Sequence, residues 1–136
     1  MTIRNWGPVR SCMRKDVTEI DGRMDVMSAL KVMKEVGDTI LIVKRRDDQD
    51  EHGMLLFSDI AKKVIAKNRA PERVSVYEIM AKPVLTVRPD MEIRYCARLF
   101  ENFGISHAPV VENDKIIGTV SYYRLVLHGI LPDLKD

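Results

Sequence analysis

GISHAPVVENDKIIG, residues 104–118, decides how the chain is read. An apolar run entered through Pro109 breaks at the polar turn Glu112-Asn113-Asp114-Lys115. It then resumes as Ile116-Ile117 and closes on Gly118. Two short apolar runs about a polar turn predict a β-hairpin rather than a helix. A similar pair occurs earlier, TILIVK (39–44) and GMLLF (53–57), separated by the longer charged segment KRRDDQDEH. The chain therefore uses the same unit twice.

Working outward, VRSCMRKDVTEIDGRM from Val9 lies over VYEIMAKPVLTVRPDM from Val76. Val9 meets Val76, Met13 meets Met80, Lys15 meets Lys82, Val17 meets Val84 and Met24 meets Met91. In the same register Gly37 falls on Gly104 and Val43 on Val110, and after a gap of two Gly53 falls on Gly118. Repetition at this scale identifies a supersecondary unit that buries its apolar face with help from a second copy. Each copy reads as a short strand (Val17–Ile20, Leu85–Val87) followed by a helix with apolar residues three and four apart. Val26, Leu30 and Met33 mark the helix in the first copy, and Ile93, Ala97 and Phe100 in the second. Asp90 is a candidate N-cap, and Gly37 and Gly104 stand where a helix ends in a left-handed residue. The hairpin and a closing helix complete the order β-α-β-β-α, twice. The fold class is α+β, with an N-terminal segment and repeat 1 in 1–67, a linker in 68–75, and repeat 2 with the tail in 76–136.

Bulk properties exclude several classes. Of 136 residues 46% are hydrophobic and 31% charged, which suits a globular chain. No run of about 18 apolar residues offers a membrane span, and MTIRNWGPVRSCMRKD does not resemble a secretory leader. A cytoplasmic location without membrane contact is expected. The net charge of +2 is spread along the chain, so a nucleic-acid partner is not expected. Cys12 and Cys96 suit buried, reduced thiols better than a disulfide or zinc site. The acidic loop with Asp47, Asp48, Asp50 and His52 lacks calcium-loop spacing, so no metal site is assigned. There is no phosphate-binding glycine loop, paired metal-ligand motif or nucleophile elbow, so the chain is read as not an enzyme.

These features resemble a pair of cystathionine beta-synthase (CBS) domains, a Bateman module, here read as stand-alone. GISHAPVV, GTVSYYRL and GMLLFSDI carry the resemblance. It implies two repeats about a pseudo-twofold axis, clefts that take adenine nucleotides or S-adenosylmethionine, and a disc-like homodimer. The family's ribose motif is glycine, two apolar residues, Ser or Thr, two further positions, then Asp. A carboxylate suits that task because it accepts hydrogen bonds from both ribose hydroxyls. This chain divides the motif. Repeat 1 has Gly53 and Asp59 but Leu56 at the hydroxyl position; repeat 2 has Gly118 and Ser121 but Arg124 at the carboxylate position.

By that resemblance the more competent cleft combines Asp59 and Met54 with Thr86, Ile105, Ser106, His107 and Pro109, and with Tyr123 and Arg124 as anion contacts. A second, weaker cleft has Thr18, Thr39, Ile40 and Ser121. Structural readings stand beside these: Asp59 as a helix cap, His107 as an ordinary strand residue, Arg124 as a surface ion pair. Two functions follow. One is a regulatory module sensing AMP, ADP, ATP or S-adenosylmethionine and signalling to a separate protein partner, with no required cofactor. The alternative is a ligand-independent dimerisation scaffold. The segment TIRNWGP, with Trp6, is expected either to fold back on the module or to serve a dimer contact.

Overall fold

The computed structural model describes residues 4–82 and 85–131. The chain divides into two compact units: Thr18–Pro83, and Met1–Val17 joined by Val84–Asp136. Both contain helices and strands, as the α+β reading requires. The division departs from boundaries at 67 and 76, because the segment leading into each repeat pairs with the sheet of the other copy. Arg14 and Thr119 exchange backbone hydrogen bonds at 2.8 and 2.9 Å. The equivalent Ala81 and Met54 do so at 2.9 and 2.7 Å. The pairing Pro8–Glu92 likewise matches Asp25–Ser75. The segment from Trp6 thus folds back onto the unit that carries repeat 2, where Trp6 packs beside the core and Arg4 lies 4.2 Å over its ring.

In the Thr18–Pro83 unit, β1 (Glu19–Ile20) runs parallel to β2 (Ile40–Val43), which is antiparallel to β3 (Gly53–Leu56), in the order β1-β2-β3. Helix α1 (Val26–Val36) starts because Asp25 accepts the Ser28 N–H at 2.8 Å, and it stops at Gly37 with φ 68°. It buries Val26, Ala29 and Met33. Leu30 was expected on that face but is 37% exposed, because Ala29 and Met33, four apart, define the stripe. Helix α2 (Phe57–Ile60) continues into a wider π turn at Ala61–Ile65, and α3 (Val76–Ile79) ends the unit's ordered elements. Leu41, Val43 and Leu55 meet Val26, Met33, Val64 and Val76 in one core.

In the other unit, α4 (Ile93–Phe103) leads into β4 (His107–Glu112), β5 (Lys115–Ser121) and α5 (Tyr122–Ile130). The hairpin turns at Asn113 and Asp114, with φ 54° and 62°, the left-handed pair that suits right-twisted strands. The expected strand at Leu85–Val87 is reduced to a single parallel bridge from Val87 to Val110. Asp90 is not the N-cap of α4: that position is Glu92. Asp90 sits in a turn closed by Met91 N–H on the Arg88 carbonyl, and its carboxylate pairs with Arg88 Nε at 3.3 Å. Gly104, φ 63°, ends α4 as expected. Ile93, Cys96 and Phe100 pack with Val9, Val110, Val120 and Leu125. Burial of Phe100 alone contributes about 1.5–3 kcal/mol, and its ring meets Tyr122 edge-on at 5.3 Å. The buried Cys12 and Cys96 belong to this core, and the tail placed at the end of 76–136 lies, from residue 132 on, outside the described residues.

Candidate functional site

The divided motif has a structural meaning in each unit. Its glycines sit where the leading segment of the other repeat passes: a Cβ on Gly53 would lie 2.4 Å from Met80 Sδ, and one on Gly118 would lie 2.7 Å from the Arg14 carbonyl oxygen. The hydroxyl and carboxylate positions open the closing helix. In one unit Asp59 Oδ2 accepts the Leu56 N–H at 3.0 Å. In the other, Ser121 Oγ accepts the Arg124 N–H at 3.2 Å. Each copy keeps one half of a reciprocal capping box.

Strand alternation brings five candidate residues, Ile40 and Met54 in one unit and His107, Pro109 and Ser121 in the other, onto one face of their sheet. Ile40 lies opposite Leu56 and Ile42 opposite Met54, while Leu41, Val43 and Leu55 enter the helical core. In the second unit His107 lies opposite Ser121 and Pro109 opposite Thr119, while Ala108, Val110 and Val120 enter the core. One unit thus places Ile40, Ile42, Met54 and Leu56 on the second face of its sheet, the first three buried and Leu56 half-buried. The other presents His107, Pro109, Thr119 and Ser121. Thr119, only 6% exposed, was not among the candidates. Its signal was available, since it occupies the position equivalent to Met54.

At the head of β4, Ser106 Oγ and His107 Nδ1 are 2.8 Å apart, and the Ser106 carbonyl accepts the Tyr122 N–H. The equivalent Thr39 carbonyl accepts the Phe57 N–H. Ser106 and Tyr123 are exposed, Ile105 and His107 half-buried, and exposed Thr86 precedes the Val87 bridge. Thr18 is half-buried, and its carbonyl accepts the Ile42 N–H at 2.9 Å.

Arg124 is half-buried, and its guanidinium reaches backbone carbonyls. Its Nε donates to the Cys12 carbonyl at 2.9 Å and a terminal nitrogen donates to the Met13 carbonyl at 3.0 Å. In the Thr18–Pro83 unit the carbonyl equivalent to that of Cys12 belongs to Ile79, and it accepts Lys63 Nζ at 3.0 Å. Lys63 Nζ also stands 3.9 Å from Asp59 Oδ1, and the Asp59 side chain is only 13% exposed. The acidic loop is occupied by its own cations: Asp50 accepts from Lys82 and from the backbone and guanidinium of Arg46. No group of three metal-ligating side chains occurs among the described residues, nor does any helix long and apolar enough to cross a membrane.

Two copies of one unit, β-α-β-β-α in the first and with its leading strand reduced to the Val87 bridge in the second, each carry a glycine-led hairpin opening onto a capped helix and define a tandem-repeat fold. The CBS domain model matches residues 76–129. A hexameric CBS-CP12 protein from bloom-forming cyanobacteria is 35% identical, with a TM-score of 0.86 over 95% of this chain and 75% of that one. The chain belongs to the CBS domain family, whose paired domains are regulatory modules. The CBS pair of protein MJ0100, solved with 5′-methylthioadenosine and S-adenosyl-L-methionine, shares the fold at 23% identity and a TM-score of 0.73, over 88% of this chain and 96% of that one. A homoserine O-acetyltransferase of Methanosalsum zhilinae is 35% identical over 113 residues, 82% of this chain. The chain spans 22% of that protein, and less than two thirds of the curated relatives it matches.

Proposed function

We propose that the chain is a regulatory module that binds an adenosyl ligand, with Asp59 as its ribose carboxylate, and signals to a separate protein. The observation that carries this reading is the state of Asp59. Its Oδ2 is used by the Leu56 N–H, which fixes the side chain, while Oδ1 faces the ammonium of Lys63 at 3.9 Å. A carboxylate oxygen held in place at a helix start suits a pair of donating hydroxyls. Met54, on the strand that leads into this helix, is the proposed apolar contact for an adenine ring from repeat 1. Following the family resemblance, Thr86, Ile105, Ser106, His107 and Pro109 are the proposed contributors from repeat 2, with Tyr123.

The equivalent position in repeat 2 holds Arg124, whose nitrogens are engaged by the Cys12 and Met13 carbonyls. The proposal therefore assigns one ribose carboxylate per chain, and leaves Thr18, Thr39, Ile40 and Ser121 as a weaker set. A bound ligand alters the module only through a difference in affinity between two of its states. That the MJ0100 pair was solved with adenosyl ligands supports the ligand class. Homodimer formation in a cytoplasmic setting belongs to the same proposal.

The capping role of Asp59 favours a second reading, a scaffold that keeps the carboxylate for the helix alone. Titration calorimetry with AMP, ADP, ATP and S-adenosylmethionine separates the two. The sensor reading expects saturable binding of one ligand at one molecule per chain. Absence of heat with all four in folded protein supports the scaffold.

A further inference from the structure

The two units hold the same backbone group by different cations. Cys12 and Ile79 occupy equivalent positions at the end of a short leading turn, where carbonyls lack intrahelical partners. In one unit the closing helix meets that carbonyl with Arg124, which stands where the ribose motif places its carboxylate. In the other it meets it with Lys63, one helical turn beyond Asp59. Position 63 is equivalent to His128, which is buried in the other copy. The charge sequence along the closing helix therefore differs. Asp59 precedes Lys63 by four residues, the favourable order for an acid–base pair on a helix. In the other copy Arg124 precedes His128.

Resting on the reading of Asp59 as the ribose carboxylate, we infer that Lys63 is its positioning residue. By taking over the contact with the leading turn, it allows a carboxylate to stand at 59, and it fixes a positive charge beside the oxygen that the cap leaves over. Lys63 Nζ is held by the Ile79 carbonyl at 3.0 Å, so the ammonium is tethered at the 3.9 Å it keeps from Asp59 Oδ1. With Oδ2 on the Leu56 N–H, the carboxylate is held from both sides. Where the contact with the leading turn is made from the carboxylate position itself, as by Arg124, the ribose group is lost. The placement of this cation thus determines which copy can read a ribose. It also joins the ligand carboxylate to the end of α3, so a ligand that draws Asp59 aside acts on that contact.

Lys63 is partly exposed, so its variants are expected to fold. Calorimetric affinities for AMP, ATP and S-adenosylmethionine are compared in wild type, Lys63→Met, Lys63→Arg, Asp59→Asn and the double variant Asp59→Asn with Lys63→Met. Lys63→Met is expected to weaken binding about fivefold, in line with a tethered but partly exposed ion pair. Lys63→Arg should restore affinity to within about twofold. In the Asp59→Asn background, measured at raised ligand concentration, the loss of Lys63 should cost nothing further. Wild-type affinity in Lys63→Met, or equal weakening in both backgrounds, overturns the role of Lys63 and leaves the Asp59 reading standing. Wild type that binds none of the three overturns both.

Discussion

Asp59 Oδ2 accepts the Leu56 N–H at 3.0 Å, and its counterpart in the second copy is Ser121 Oγ accepting the Arg124 N–H at 3.2 Å. A motif associated with ribose recognition is thus also a helix-capping device, and the two copies have each kept a different half. Removing either half should cost stability without any ligand. Asp59→Ala and Ser121→Ala are each expected to lower unfolding free energy by about 0.5–2 kcal/mol, read from urea denaturation. A loss in neither variant would contradict the capping geometry.

The glycines of the motif are required by the leading segments. A Cβ on Gly118 meets the backbone oxygen of Arg14 at 2.7 Å, whereas one on Gly53 meets the flexible sulfur of Met80 at 2.4 Å. Met80 can rotate away, and the Arg14 carbonyl is held by its pairing with Thr119. Gly118→Ala should therefore destabilise more than Gly53→Ala, by about 1–3 kcal/mol against wild type. Denaturation midpoints of the two variants test the order.

Acid sensitivity should centre on Asp50. Its hydrogen bond with Lys82, then those with the Arg46 backbone and side chain, holds its carboxyl well below the usual range. A depressed acid contributes stability above its unfolded value, about 3.9, and loses it as pH falls through the folded value. The stability difference between wild type and Asp50→Asn should be full at neutral pH and shrink at strongly acidic pH. A difference that grows on acidification would reverse the sign of this account.

Burial pushes the Cys12 and Cys96 thiols up to about 11 and about 12. Such raised groups stabilise the fold below the unfolded thiol value, about 8.5, and that contribution is lost as pH rises through the folded values. At mildly alkaline pH neither thiol should react with a colourimetric disulfide reagent until the protein is denatured, when both should react. Rapid labelling of native protein would place them at the surface.

The repeat, its hairpins and the helix-ending glycines were legible because they rest on apolar periodicity and on turn residues with few alternatives. Gly37, Gly104 and the Asn113–Asp114 turn adopt the left-handed backbone their residue types favour. The exchange of leading segments was not legible. The bonds of Arg14 with Thr119 and of Ala81 with Met54 use backbone groups that every residue type carries. The contacts of Arg124 and Lys63 were hidden for the same reason, since a carbonyl acceptor leaves no mark on the sequence. The sequence offered Arg124 as a surface ion pair or an anion contact and gave no sign of the hydrogen bonds it donates to the Cys12 and Met13 carbonyls. At the start of α4 the sequence pointed to Asp90 as the cap, but its carboxylate pairs with Arg88 and the helix begins two residues later, after Glu92.

The central claim, that Asp59 reads the ribose of an adenosyl ligand, is tested most directly by thermal unfolding of wild type and Asp59→Asn with AMP, ADP, ATP and S-adenosylmethionine. The account predicts that one ligand, at a hundredfold excess over its dissociation constant, stabilises wild type by about 2.7 kcal/mol, and that the shift is largely lost in the variant. An equal shift in both proteins, or none in wild type with any of the four, would contradict it.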